Sequence, residues 1–184
     1  MNPIAYLRCH YKEKFGTPRQ SGSIPEAYGT IEFVSPFDRP EFFDGLEDIT
    51  HIWVIGLFDK AEFQSPKVRP PRLGGNKKVG VFASRSPFRP NPLSLSLFKI
   101  EKINIENNVT IDVSGIDLMD GTPIYDIKPF HPEADIPDSP RAGWIDTLEK
   151  RKLDSLGWDE EAVLFLKNNT GEEYSKMSLM ILEI

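Results

Sequence analysis

The chain has a single cysteine, Cys9, among its 184 residues. Without a second thiol an intrachain disulfide is excluded, and such usage fits a reducing compartment. Histidine is nearly as scarce: His10, His51 and His131 are scattered, and neither a C-x-x-C nor an H-x-x-x-H spacing surrounds them. No metal site is therefore expected. No apolar run approaches the roughly 20 residues that a membrane-spanning helix needs, and residues 1–16 lack the apolar core of a secretory signal. A cytoplasmic protein with no membrane partner is expected. The common catalytic signatures are missing as well: there is no phosphate-binding G-x-x-x-x-G-K-[ST] loop, no G-x-S-x-G elbow and no H-E-x-x-H. The glycines of Leu73-Gly-Gly-Asn-Lys-Lys-Val-Gly80 lack the strand, turn and helix order of a dinucleotide fingerprint.

One absence is local. Residues 64–100 contain no carboxylate, although the whole chain carries 28 acidic and 22 basic residues and a formal net charge of −6. The same window holds Lys67, Arg69, Arg72, Lys77, Lys78, Arg85, Arg89 and Lys99. Charge segregated in this way can focus a positive field over one face of an acidic protein, and a polyanion responds to that local field.

What is present is mostly strand signal. Segments 4–10, 28–34, 51–58, 78–84, 93–103 and 108–116 are rich in Val, Ile, Phe and Tyr and are bounded by turn residues. In the fifth, Leu93, Leu95 and Leu97 point one way and Ser94 and Ser96 the other, the period of a half-buried strand. Asn107-Asn108 separates the last two segments, which predicts a hairpin over 93–116. Residues 40–48 predict a short helix carrying Phe42, Phe43 and Leu46. Many of the loops hold proline, which stiffens them. Short strands with elaborated loops predict a mainly β fold, a small antiparallel β-barrel whose closure removes exposed edges. From residue 145 the texture becomes helical: Ile145, Leu148 and Leu153 have helical spacing, and Asp159 is placed to cap a helix holding Val163, Leu164 and Leu166. Residues 172–182 suit either helix or strand. A barrel domain over 1–144 and a helical C-terminal extension over 145–184 are expected.

The chemistry-bearing clusters are Pro18-Arg-Gln-Ser-Gly22, Arg69-Pro-Pro-Arg-Leu-Gly-Gly75, Ser84-Arg-Ser-Pro-Phe-Arg-Pro-Asn-Pro92 and the run from Asp117 through Asp120-Gly-Thr-Pro-Ile-Tyr-Asp-Ile-Lys-Pro129. Together with Tyr11-Lys-Glu-Lys-Phe-Gly-Thr17, Gly45-Leu-Glu47, Thr50-His-Ile-Trp53 and Ile136-Pro-Asp138, they resemble, in order and over residues 3 to 144, the TrmO (TsaA-like, YaeB-like) family. Characterised members of that family are S-adenosylmethionine-dependent methyltransferases that act on N6 of the threonylcarbamoyl-adenosine next to the tRNA anticodon. The resemblance implies a TsaA-like β-barrel, a homodimer with the methyl donor bound near the subunit interface, and the tRNA anticodon loop as partner. Longer bacterial relatives carry a further C-terminal module with an Asp-Pro-Arg-Pro-like motif that this sequence does not contain.

By that resemblance the cofactor set is Gln20, Ser21, Gly22, Asp59, Lys60, Arg85, Leu95, Gly115, Ile116 and Asp117. Asp117 and Asp59, each following a predicted strand, are suited to accept hydrogen bonds from ribose hydroxyls or an ammonium. Gly22 and Gly115 would let backbone approach the ligand, and Arg85 can fork onto its carboxylate. Leu95 is equally suited to core packing. Asp126 and Lys128, read as part of an Asp-Ile-Lys-Pro turn, are the expected catalytic pair: a base or orienting acceptor, and an anchor for a carboxylate or carbonyl. An ion pair bracing the loop is the alternative. Phe130 stands where many relatives have tyrosine, so no phenol serves there. Arg69, Arg72, Lys77, Lys78, Arg89 and Asn91 are the expected RNA contacts, although Arg89 could instead be pinned to a carboxylate. The competing functional readings are a non-catalytic cofactor-sensing or RNA-binding dimer, and a methyltransferase of the same fold with another substrate.

Overall fold

The computed structural model describes residues 1–106 and 108–148, together with 161, 164 and 168. Its strands are β1 (Ala5–Cys9), β2 (Gly29–Phe33), β3 (His51–Leu57), β4 (Lys67–Val68), β5 (Val79–Gly80), β6 (Leu93–Asn104), β7 (Thr110–Ser114) and β8 (Pro123–Pro129). Six of them close into a barrel in the order β1-β2-β7-β6-β3-β8, every pairing antiparallel, and β4 and β5 form a separate two-stranded ribbon. The fold class expected from the pattern is therefore observed. Alternation fills the barrel: Leu7, Ile31, Ile52, Val54, Phe98, Ile111, Val113 and Ile124 all point inward and are fully buried. Each contributes roughly 1.5–3 kcal/mol by leaving water. One end is plugged where Phe43 meets Phe33 edge to face, with ring centroids 4.7 Å apart.

The other end is polar, and β6 makes it so. Against β3 its register is Trp53 to Leu97, Val54 to Ser96, Ile55 to Leu95, Gly56 to Ser94 and Leu57 to Leu93. Val54 is core, so Ser94 and Ser96 face the interior and are buried, while Leu93 and Leu95 stand outside, Leu95 52% exposed. Gly56 is required opposite Ser94: its N–H donates to Ser94 Oγ at 3.0 Å, and a Cβ would lie 2.8 Å from that oxygen.

Several expected elements differ. Residues 123–129 form a full barrel strand, β8, rather than a turn. Proline occupies its first and last positions, where a lost donor harms the ladder least. Of the strand expected over 78–84 only Val79–Gly80 pairs, and Val81–Ala83 is a 3-10 turn. The helix expected over 40–48 is one 3-10 turn, Pro40–Phe43. The β6–β7 hairpin forms as expected, although Asn107 of its connection lies outside the described residues. After a 3-10 turn at Gly143–Ile145, Leu153, Asp159, Val163, Leu166 and residues 172–182 also lie outside them. Leu164 is helical and exposed. Among the described residues no helix is long and apolar enough to cross a membrane, and no group of three His, Cys, Asp or Glu side chains could hold a metal.

Candidate active site

At the polar end of the barrel lies a pocket of about 330 Å³, a size suited to a small ligand. Its walls come from separate segments: Arg19 and Gln20 from the β1–β2 loop, Phe58 after β3, Ser84 to Arg89 from the proline-rich loop, Leu93 to Ser96 of β6, and Asp117. Asp117 is the chemical focus. Burial raises its carboxyl above the ordinary range, opposed by hydrogen bonds from the Ser96 hydroxyl and the Ser21 backbone N–H and by the charge of Arg85. Its Oδ1 is buried and, among the described residues, has no hydrogen-bond partner. An orphaned carboxylate oxygen inside a pocket is costly unless a ligand or water satisfies it.

Backbone geometry aims that carboxylate. Gly115, at the end of β7, has φ +70°. Gly22 donates its N–H to Gly115 O at 2.8 Å, and a Cβ on Gly115 would come within 3.3 Å of Gly22 Cα and N. The two glycines thus permit the β1–β2 loop and the chain after β7 to cross at close range. They approach each other rather than a ligand directly. Ser21 Oγ, accepting from Leu97 N–H at 3.2 Å, fastens the same loop to β6.

Arg85 ties the rim together. Nη1 donates to Gln20 Oε1 at 2.8 Å and Nη2 to Leu95 O at 2.9 Å, bridging the β1–β2 loop and β6 above Asp117. The guanidinium remains exposed, so a carboxylate arriving at the rim can compete for it. Arg89 does not take the alternative of a carboxylate partner: Nη1 donates to Ser84 O at 2.7 Å and to Val81 O at 3.2 Å, so backbone carbonyls hold it.

The other expected residues divide. Leu95 lines the pocket from the outer edge of β6, which overturns core packing for that side chain. Ile116 is fully buried in the core and does not line the pocket. Asp59 and Lys60 are exposed in the turn after Phe58 and do not line the pocket. Asp126 and Lys128 form an ion pair at 3.3 Å, their side chains 49% and 64% exposed. They face outward from β8, opposite Ile55 and Trp53, across β3 from Leu95 and Leu97. Within one chain they lie outside the pocket. Arg69, Arg72, Lys77, Lys78 and Asn91 are exposed, and no salt bridge to the four cations occurs among the described residues.

Residues 6–136 match the family model described as the tRNA-methyltransferase O N-terminal domain. The chain belongs to the tRNA-methyltransferase O family. It is 41% identical over 140 residues to the Escherichia coli protein named tRNA (adenine(37)-N6)-methyltransferase, a match covering 74% of this chain and 60% of that relative. The chain thus spans less than two thirds of that protein. It is 35% identical over 159 residues to a Pyrococcus abyssi protein named "Probable S-adenosyl-L-methionine-binding protein", covering 83% of this chain and 81% of the relative. The crystal structure of TrmO from Pseudomonas aeruginosa superposes with a TM-score of 0.76 at 32% identity, covering 99% of this chain and 78% of that one.

Seven pocket residues of this family member were not among the expected site residues: Arg19, Phe58, Ser84, Pro87, Leu93, Ser94 and Ser96. Ser94 and Ser96 carried a legible signal, since polar residues alternating strictly with leucine must line one face of the strand. Arg19 and Phe58 had none beyond adjacency to Gln20 and Asp59.

Proposed function

We propose that this chain is an S-adenosylmethionine-dependent methyltransferase acting on N6 of adenine 37 in tRNA, with threonylcarbamoyl-adenosine in the anticodon loop as its substrate. The observation that carries the reading is the buried, unpartnered Oδ1 of Asp117 at the base of a pocket whose rim is cationic. Those residues fit the donor: a carboxylate and two serine hydroxyls suit ribose hydroxyls or an ammonium, and Arg85 suits a carboxylate. When bound, S-adenosylmethionine supplies an electrophilic methyl group on a sulfonium sulfur. The chain's part is to align acceptor, methyl and sulfur in a line and to receive the proton that the acceptor nitrogen loses. Asp117 and Arg85 would hold the two ends of the donor, with Gln20 releasing one guanidinium N–H to its carboxylate.

Asp126 is our candidate for the group that takes or orients the N6 proton, and Lys128 for the group that neutralises the substrate's carboxylate. Their separation from the pocket within one chain favours a homodimer. Trp53, Ile55, Leu57, Leu93, Leu95 and Leu97 form a continuous outward strip on β3 and β6, with the Asp126–Lys128 pair on one side and the pocket on the other. A second copy seated on that strip lies against both. We assign the protein to the cytoplasm with its tRNA. Radiolabelled methyl transfer to purified tRNA, followed by nucleoside mass spectrometry, is the test. The expected product is methylated adenosine 37 with wild type and at least tenfold less with Asp126→Asn. Donor binding without label transfer by wild type would favour a sensing or RNA-binding module instead.

A further inference from the structure

We propose that Phe15 and Phe82, on the two loops that wall the pocket, are stacking platforms that receive unpaired bases of an RNA substrate. The inference rests on the RNA reading above and adds the residues that would grip the loop. Both rings are presented to solvent, 82% and 80% exposed, so neither contributes to the core. Each has a cation over it: Lys14 Nζ lies 5.2 Å from the Phe15 centroid and Arg89 Cζ 5.9 Å from that of Phe82. Their loops are the two that wall the pocket, the first through Arg19 and Gln20, the second through Ser84, Arg85, Pro87 and Arg89. The Arg85 to Gln20 hydrogen bond at 2.8 Å joins the loops.

The projection of Phe82 is built in. Arg89 grips the carbonyls of Val81 and Ser84, on either side of it, and this keeps the short turn closed with the ring outside. Unstacked bases are recognised by aromatic faces combined with cations, because every base offers a π surface and the backbone between bases is anionic. Two such faces on the loops that wall the pocket would hold the neighbours of a base presented to it.

Phe42 provides an internal comparison. It too is exposed and lies under a cation, Arg39 at 5.1 Å, but it follows β2, at the plugged end of the barrel away from the pocket. Fluorescence anisotropy with a synthetic anticodon stem-loop RNA tests the idea on the full chain. Phe15→Leu and Phe82→Leu should each weaken binding by roughly 5- to 150-fold, the range of base stacking on an aromatic ring. Phe15→Trp and Phe82→Trp should keep it, and Phe42→Leu should change nothing. Calorimetry with S-adenosylmethionine and sedimentation should match wild type throughout. Wild-type affinity in both leucine variants overturns the inference and leaves the methyltransferase reading standing. A changed sedimentation coefficient also overturns it, since the rings would then pack between copies of the chain. If wild type itself fails to bind the RNA, the parent reading falls first.

Discussion

Asp117 is placed for binding at the expense of stability. Its carboxyl is raised by burial, so the folded state prefers it protonated, and its effect on stability turns unfavourable as pH rises from the ordinary 3.8 through the raised value. Ligand binding has the opposite sign, because an ammonium or ribose hydroxyl needs the ionised acceptor. Donor affinity is expected to strengthen as pH rises through the same window. Asp117→Asn should remove that pH dependence and weaken binding by roughly 10- to 150-fold, the value of a hydrogen bond to a charged group. Its melting temperature at neutral pH should equal or exceed that of wild type; calorimetric titration and thermal melts read the two effects separately. Gly115 is a purely conformational case. At φ +70°, with an added Cβ 3.3 Å from Gly22 Cα and N, Gly115→Ala should cost about 1–2 kcal/mol from the left-handed backbone alone, measured by urea unfolding, with further loss of donor binding as the two loops separate.

At the scale of elements, β6 carries two surfaces on one strand. Its serines line the pocket wall and its leucines form half of the outward strip, so the proposed dimer is open to direct attack from the outer side. Leu95→Asp is expected to shift the protein to monomer in analytical ultracentrifugation, with the barrel's circular dichroism retained, because no core contact is removed. The sequence made the alternation of β6 plain but not its sense. A period of two separates the faces, and leucine is ordinarily the buried one; here the pocket and the strip reverse that expectation. β8 escaped notice for another reason. Proline at both ends disguised a barrel strand as a loop, and a register irregularity between Ile124 and Asp126 breaks its alternation, so that Ile124 points into the core whereas Asp126 and Lys128 face outward. The partners of Arg89 were illegible because they are backbone carbonyls, created only when the 81–89 turn closes. Gln20, Arg85, Leu95 and Asp117 line one pocket, and each adjoins a strand end or loop that the pattern marked.

Over the whole molecule, charge is distributed with a purpose that the net value of −6 hides. The carboxylate-free span from 64 to 100 supplies the β4–β5 ribbon, the Arg85 rim and the first two thirds of β6. Its Arg69, Arg72, Lys77 and Lys78 have no ion-pair partner among the described residues. Contacts between such cations and phosphates release counterions, and each lowers the slope of log affinity against log salt by about 0.7–0.9. Replacing all four with glutamine should therefore make the slope for tRNA shallower by about 3, with donor binding unchanged. Salt titrations of wild type and the fourfold variant measure this. The acidic remainder of the chain would keep the RNA from settling elsewhere, because like charge repels it.

The double duty of β6 leaves little freedom to vary its length. Removing one residue between Leu93 and Leu97 would exchange the roles of everything before the deletion, sending leucine towards the pocket and serine towards the outward strip. One slip would thus dry out the cavity and wet the outer face at once, an error that no single compensating substitution could undo.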